Sequence, residues 1–259
     1  KINSVNINQT IIKASNLQDL YSAFDNNYDL PYSVAWIDCL AKKDQIGRGI
    51  FMGGSFCDDG LLNYKKKKKI NIPFDFPSFF LNKLTVKAFN WFYYSKTLKK
   101  VSKSKIHFDN FFFPLDSITN WNRIYGKNGF TQYQFILPEK NSFEGMFKIL
   151  NKIAESGMGS FLAVLKLYGE NNKNYLSFPI KGHSLALDFK IEKNLFPLLD
   201  ELDSIVNDYS GRIYLAKDVR IKREEFQKGY PELDKFIEIR RKYLCSKKIN
   251  SLQSKRLEI

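Results

Sequence analysis

Thr131-Gln132-Tyr133-Gln134-Phe135-Ile136-Leu137 decides the fold class. Side chains alternate across a strand, so Tyr133, Phe135 and Leu137 share one apolar face and Gln132 and Gln134 the other. A strand with one oily and one amide face asks for helices on the first side only. The residues that follow supply them. Asn141 and Glu144 offer an N-cap pairing, and Phe143, Met146, Phe147, Leu150 and Ile153 form the apolar stripe of a helix that Gly157 and Gly159 end.

Phe161 to Leu167 predicts a second strand, in which Lys166 lies with Leu162 and Val164. Gly169 to Lys173 is a turn, and Tyr175 to Ile180 a further extended piece. Ser184 to Lys190 alternates again, with Leu185, Leu187 and Phe189 on one face and Ser184, Ala186 and Asp188 on the other. Leu195, Leu198, Leu199, Leu202, Ile205 and Val206 define a second amphipathic helix, with Gly211 at its C-cap. Ile213 to Ala216 closes the series as a strand, and Pro231 opens a last helix. The order β-α-β-β-α-β is that of a split β-α-β, ferredoxin-like unit: an α+β domain with an antiparallel sheet and helices on one face.

Before residue 131 the pattern is less regular. Leu17 to Phe24 predicts a helix, Tyr32 to Asp38 a strand and Ile50 to Met52 a short strand among glycines. The run Lys65 to Lys69 reads as a solvated loop. After it come Phe74, Phe76, Phe79, Phe80, Phe89, Trp91, Phe92, Tyr93 and Tyr94, interrupted by Pro73 and Pro77. The favoured reading packs these aromatics into the core beneath a basic loop. Contact with an anionic membrane interface comes second and single-stranded nucleic acid third.

The net charge of +14 admits nucleic acid, an anionic membrane or a phosphate-bearing ligand as partner. Cys39, Cys57 and Cys245 match no metal or redox spacing, which favours free thiols in a reducing cytoplasm. With only two histidines, His107 and His183, a three-histidine zinc site is excluded and a Ser-His-Asp triad has little support. There is no phosphate-binding glycine loop and no apolar run of the roughly 20 residues that span a membrane. The polar sheet face, with two amides, an ammonium, a hydroxyl and a carboxylate, suits a sugar or phosphate; by periodicity alone an ordinary solvated face is the stronger reading. Lys217, after an apolar run, is read first as the strand's exit and second as a catalytic amine.

A set of short segments adds to this. Phe113-Pro114-Leu115-Asp116, Trp121-Asn122-Arg123 with Tyr125-Gly126, Gly129-Phe130, Gln132-Tyr133-Gln134 with Pro138, and Ser160-Phe161-Leu162-Ala163-Val164 with Lys166 come in that order. Leu176-Ser177-Phe178-Pro179 with Gly182, Asp188-Phe189, Gly211-Arg212 with Tyr214, Ala216-Lys217-Asp218, Tyr230-Pro231 and Lys255-Arg256-Leu257 follow, with Tyr32, Trp36 and Asp38 upstream. Together they resemble the C-terminal half of the decaprenylphosphoryl-ribose 2-oxidases, in the vanillyl-alcohol-oxidase group of FAD enzymes. The resemblance implies that residues 1–211 are a substrate-binding domain. Residues 212–259 would complete an FAD-binding domain whose N-terminal part precedes Lys1, so that FAD is held mainly outside this chain. It implies hydride transfer from a sugar hydroxyl carbon to the flavin. Lys217 would be the active-site lysine, Tyr214 would lie near the cofactor, and Gln132, Gln134, Lys166 and Trp36 would line the substrate pocket. Phe112 stands where the family has a pocket tyrosine. Ser184 and Ala186 stand for its asparagine and cysteine, and Leu244-Cys245 for an Asp-Pro pair. These departures bear on the substrate's identity.

The implied partners are a polyprenyl-phosphate sugar and a separate NAD(P)H-dependent reductase that completes a ribose-to-arabinose epimerisation for cell-wall arabinan. The protein would be cytoplasmic, with peripheral membrane contact through Lys65–Lys69 and no nucleic acid. The other readings are a related sugar-lactone or alcohol oxidase and, from a different class, a basic nucleic-acid-binding module.

Overall fold

The computed structural model describes residues 1–64, 69–244 and 248–259. Its main element is an eight-stranded sheet built from β1 (Asn6–Ala14), β2 (Tyr32–Ile37), β3 (Gly49–Phe56), β5 (Val101–His107), β7 (Phe130–Pro138), β8 (Ala163–Tyr168), β9 (Gly182–Lys190) and β10 (Arg212–Ile213). The spatial order is β10-β7-β9-β8-β2-β3-β1-β5, and every neighbouring pair is antiparallel. The short strands β4 (Ile70–Asn71) and β6 (Ile118–Thr119) pair in parallel beside it.

Helices α1 (Leu17–Asp25), α4 (Glu139–Ser156) and α5 (Leu195–Asp208) cover one face. Register shows why. Tyr133 pairs with Leu187, Phe135 with Leu185, and Leu185 in turn with Leu165, so one apolar layer runs across β7, β9 and β8. It continues through Leu165–Ala35 and Ala35–Phe51 into β2 and β3. Met146, Ile149, Leu150 and Ile153 of α4, Leu198, Leu199 and Leu202 of α5, and Leu20 and Phe24 of α1 close over it, all buried. Cutting Phe135, fully buried at the centre, to alanine costs about 3–5 kcal/mol.

The sheet has a repeat in its connectivity. β7-α4-β8-β9-α5-β10 lies in the order β10-β7-β9-β8. In the other half β1, β2, β3 and β5 take the same places, in the order β5-β1-β3-β2, with α1 again crossing between the first and second strands. The halves meet where β2 pairs with β8, at Ala35–Leu165 and Trp36–Val164.

Several expectations are corrected. Tyr175 to Ile180 forms no strand; Phe178 is instead buried against Tyr214, with ring centroids 4.5 Å apart, and Arg212 donates to the Ser177 carbonyl. The strand expected over Ile213 to Ala216 is only Arg212–Ile213, because the chain turns into a 3-10 turn at Leu215–Lys217. Helix α4 begins at Glu139, behind Pro138, so Asn141 lies inside the first turn and is no cap. The left-handed residue after α5 is Ser210, not Gly211. The aromatic segment does not fold into the core: Phe74, Phe79, Phe80, Phe89, Trp91 and Phe92 are exposed. Part of it is α2 (Lys83–Ser95), capped by Asn82. Its inner side chains meet Trp36 and Phe161 on the sheet face opposite α1, α4 and α5, so not all helices share one face. The remaining helices among the described residues are α3 (Phe108–Phe112), α6 (Arg223–Gly229), α7 (Leu233–Lys242) and α8 (Leu252–Leu257). Of the basic run, Lys65 to Lys68 lie outside the described residues, as does Cys245; Cys39 and Cys57 are free and buried. Among the described residues no helix is long and apolar enough to cross a membrane.

Candidate active site

The face of the sheet turned away from α1, α4 and α5 carries the polar residues singled out by alternation. Gln132 lies opposite Asp188, Gln134 opposite Ala186, and Ser184 opposite Lys166. Gly182 starts β9 with φ near +152°, and a Cβ there would meet the Leu137 carbonyl, so only glycine lets the two strands close at this end.

Lys217 comes to this face from the far side of the sequence. Tyr214 donates its backbone N–H to the Gln134 carbonyl, which extends β10 along β7 by one bond. The 3-10 turn then brings Lys217 Nζ to 2.5 Å from Gln132 Oε1. Gln132 Nε2 donates to Asp188 Oδ1 at 2.8 Å, and Tyr125 Oη approaches Asp188 Oδ2 at 3.4 Å. An ammonium, an amide, a carboxylate and a phenol are thus joined in one chain. Burial pushes the Asp188 carboxyl up; hydrogen bonds from Gln132 and Tyr125 and the charge of Lys217 pull it back. Burial, and then Asp188, push the Tyr125 phenol up.

The turn bearing Lys217 is held from behind. Asp218, whose side chain is buried, accepts the backbone N–H groups of Arg220 and Ile221 and an ion pair from Arg256 at 2.6 Å. Gln253 of α8 donates to the Leu215 carbonyl at 2.7 Å. Arg220 grips Asp200 and Asp203 of α5, and Tyr133 donates to Asp203 at 2.9 Å.

The other expected residues are distributed along the same face. Gln134 and Ser184 are buried and bond each other at 3.1 Å, near the aromatic row Tyr168, Phe178 and Tyr214. Lys166 is exposed at a cleft of about 450 Å³ that it lines with Tyr28, Tyr32, Val34, Phe112 and Tyr168. Among the described residues Lys166 has no ion pair. Phe112 packs edge-on against Tyr32 at 4.9 Å. Trp36 is on the same face but buried: its N–H donates to the Phe161 carbonyl and its ring lies against Tyr93. The structure therefore gathers Lys217 with Gln132, sets Gln134, Ser184 and Tyr214 beside them, and leaves Trp36 as a packed wall. Tyr125 and Tyr168 were not singled out as site residues; nothing in their spacing marks them, and only the tertiary pairing brings them here. Asp188 did carry a signal, its place on the polar side of an alternating strand.

The chemistry available is that of a binding face for a polar, anionic ligand, with cations at two points, amides between them and aromatic walls. The resemblance read from the sequence is borne out by comparison. The chain is 37% identical, over 219 aligned positions covering 81% of its length, to decaprenylphosphoryl-β-D-ribose oxidase of Mycolicibacterium smegmatis. It is also 37% identical over 93 positions to an uncharacterised protein in the mprA 5′ region of Streptomyces coelicolor, covering 36% of this chain and 25% of that protein. The chain spans about half (47%) of the length of the oxidase it matches. No family model matches it.

Proposed function

We propose that this chain is the substrate-binding part and the C-terminal end of an FAD-dependent oxidase that acts on a polyprenylphosphoryl ribose. The observation that carries the reading is the chain Lys217–Gln132–Asp188, in which the C-terminal segment delivers a cation onto the polar sheet face. The strand order β7-β9-β8 supports a ferredoxin-like substrate domain over residues 1–211, with β10 of the following segment added at its edge. Residues 212–259 complete the flavin domain, whose larger part holds most of the FAD.

The residues present fit one edge of a flavin. That edge has carbonyl acceptors and gains negative charge on reduction, so it calls for donors and a cation. Lys217 gives one of its three N–H groups to Gln132 and keeps two for a ligand. Lys217 and Tyr214 would hold the group. When bound, FAD supplies the two-electron acceptor for oxidation of the sugar hydroxyl carbon. Lys217 orients the substrate hydroxyl and stabilises developing negative charge. Gln132 fixes the ammonium, and Asp188 fixes Gln132. Gln134, Ser184 and Lys166 bind the sugar and its phosphate, and Phe112 closes the side of the cleft. A separate NAD(P)H-dependent reductase would then return the ketone as the 2-epimer.

Purified full-length protein is expected to be yellow and to bleach anaerobically when given a prenylphosphoryl ribose. Bleaching by an aldonolactone or a simple alcohol, and not by the ribose phosphate, would assign it to another branch of oxidases. A colourless protein that takes up no flavin would overturn the reading.

A further inference from the structure

Helix α2 has two apolar faces, and the sheet uses only one. Val86 and Asn90 are buried, and Phe89 and Tyr93 meet Phe161 and Trp36. On the opposite side Leu84, Ala88, Trp91 and Phe92 follow the i, i+4, i+7, i+8 spacing of a single helical stripe. Leu84 is 76%, Trp91 60% and Phe92 64% exposed. Exposed Phe79 and Phe80 extend the stripe before the helix and exposed Leu98 after it. A stripe of this kind on a water-facing helix needs a partner.

The charge around it names that partner. From residue 76 to residue 108 there are seven lysines (Lys83, Lys87, Lys96, Lys99, Lys100, Lys103 and Lys105) and no acidic residue. Among the described residues only Lys105 of these has an acidic partner, Asp59. Lys87 flanks the stripe along the helix, and Lys99 and Lys100 follow Leu98. Single-stranded nucleic acid is gripped by aromatic rings set in a basic groove, with no call for exposed aliphatic side chains. Here exposed leucines stand among the rings, and Trp with Leu and Phe beneath a lysine border is the composition of a helix lying in a lipid interface.

We propose that α2 docks this protein on an anionic bilayer, with Leu84, Trp91 and Phe92 inserted at the headgroup boundary and the lysines on acidic headgroups. The docking stands on this surface alone; its use in substrate delivery rests on the function proposed above. The N-terminal end of α2 walls a cleft of about 280 Å³, where Leu81, Val86, Met158 and Phe161 lead to Tyr125 and Asp188. A lipid-linked sugar held in the membrane would then meet, within the protein's own anchor, a cleft where these apolar side chains stand among Asn82, Lys190 and Glu192, beside the Asp188–Gln132–Lys217 chain.

The test uses the full-length protein and vesicles of phosphatidylcholine with or without phosphatidylglycerol. Sedimentation is expected only with the anionic lipid. It should weaken about tenfold or more in Leu84→Ser/Trp91→Ser/Phe92→Ser, whose sites are exposed, and in Lys87→Gln/Lys99→Gln/Lys100→Gln. Trp91 emission, isolated by difference from Trp91→Phe, should shift to the blue on binding. Flavin reduction by a water-soluble, short-prenyl substrate should be unchanged in both variants, so loss of that reaction in the wild type bears on the oxidase reading and not on docking. Three results would overturn the proposal. The serine variant could sediment as wild type does. Trp91 could already be blue and unresponsive to vesicles, its stripe covered by another part of the protein. Or the protein could bind single-stranded RNA and ignore both lipids.

Discussion

Lys217 and Lys166 both present an ammonium to the same sheet face, but their surroundings differ. Lys217 is half-buried and held by Gln132, whereas Lys166 is exposed at the edge of the cleft. A held cation at the reacting centre acts mainly in the transition state, and its loss costs about a hundredfold or more. A flexible cation on a phosphate serves ground and transition states alike. On the proposed function, Lys217→Met in the full-length protein is therefore expected to keep bound flavin and nearly lose flavin reduction, while Lys166→Met mainly raises KM. Stopped-flow bleaching separates the two; near-wild-type reduction by Lys217→Met would return that residue to a strand exit.

His183 makes a prediction of a different kind. It is buried, stacked on Tyr21 at 3.9 Å, with Nδ1 2.9 Å from Ser142 Oγ. Burial pushes its pKa down to about 4 from 6.5. The folded state therefore resists a proton that the unfolded chain accepts below about 6.5, and stability falls as pH drops from there to 4. The loss is about 3 kcal/mol. Asp203 works in the opposite sense: burial pushes its carboxyl up to about 6, so the folded state gains protons first and stability rises over nearly the same window. In His183→Gln the stabilising trend of Asp203 should emerge on acidification, and urea midpoints from pH 7 to 4 should diverge from the wild type. Parallel curves would show that His183 does not titrate this way.

At the scale of elements, the segment after β10 depends on Arg220. Its guanidinium joins Asp200 and buried Asp203, and so ties the Lys217 turn to α5. Arg220→Met would leave Asp203 buried without its cation, a change that costs about 3–5 kcal/mol. Chemical denaturation should register that loss, with a matching fall in flavin reduction as the turn loosens; an unaltered midpoint would mean that Asp203 simply takes up a proton. The elements that sequence reading recovered share one property. In β7, β9, α1, α4 and α5 the apolar residues keep a single period and face a single core. Strand β1 was missed because Gln9 is buried while Ile11 and Ile12 are only half-buried, which blurs alternation. Helix α2 was missed because its apolar residues lie on two faces and leave no single stripe. The site was legible as far as alternation reaches: Gln132, Gln134, Ser184 and Asp188 were assigned to one face. The contact between Lys217 and Gln132 joins residues 85 positions apart, and no local pattern encodes it.

At the scale of the molecule, the sheet organises chemistry by side. One face is closed by α1, α4 and α5 around a continuous apolar layer, and the other is divided between the polar site and α2. The two halves share strand order but not cover. α5 seals β7 and β10 on the apolar side, whereas the helix in its place in the first half, α2, lies over Trp36 on the opposite side. That difference sets a lysine-bordered helix beside the polar face.

The repeated strand order also shapes how the chain can acquire its structure during synthesis. Every pairing in the main sheet except β2 with β8 joins strands within residues 6–107 or within residues 130–213. Loop-closure entropy for those pairings is modest, and each set is complete as soon as its own stretch has left the ribosome. The long-range step is reduced to one zipper, Ala35–Leu165 and Trp36–Val164, closing on edges already formed. Until it closes, β2 is an open, apolar strand edge in the nascent chain, available for pairing with a neighbour from the translation of residue 37 to that of residue 163.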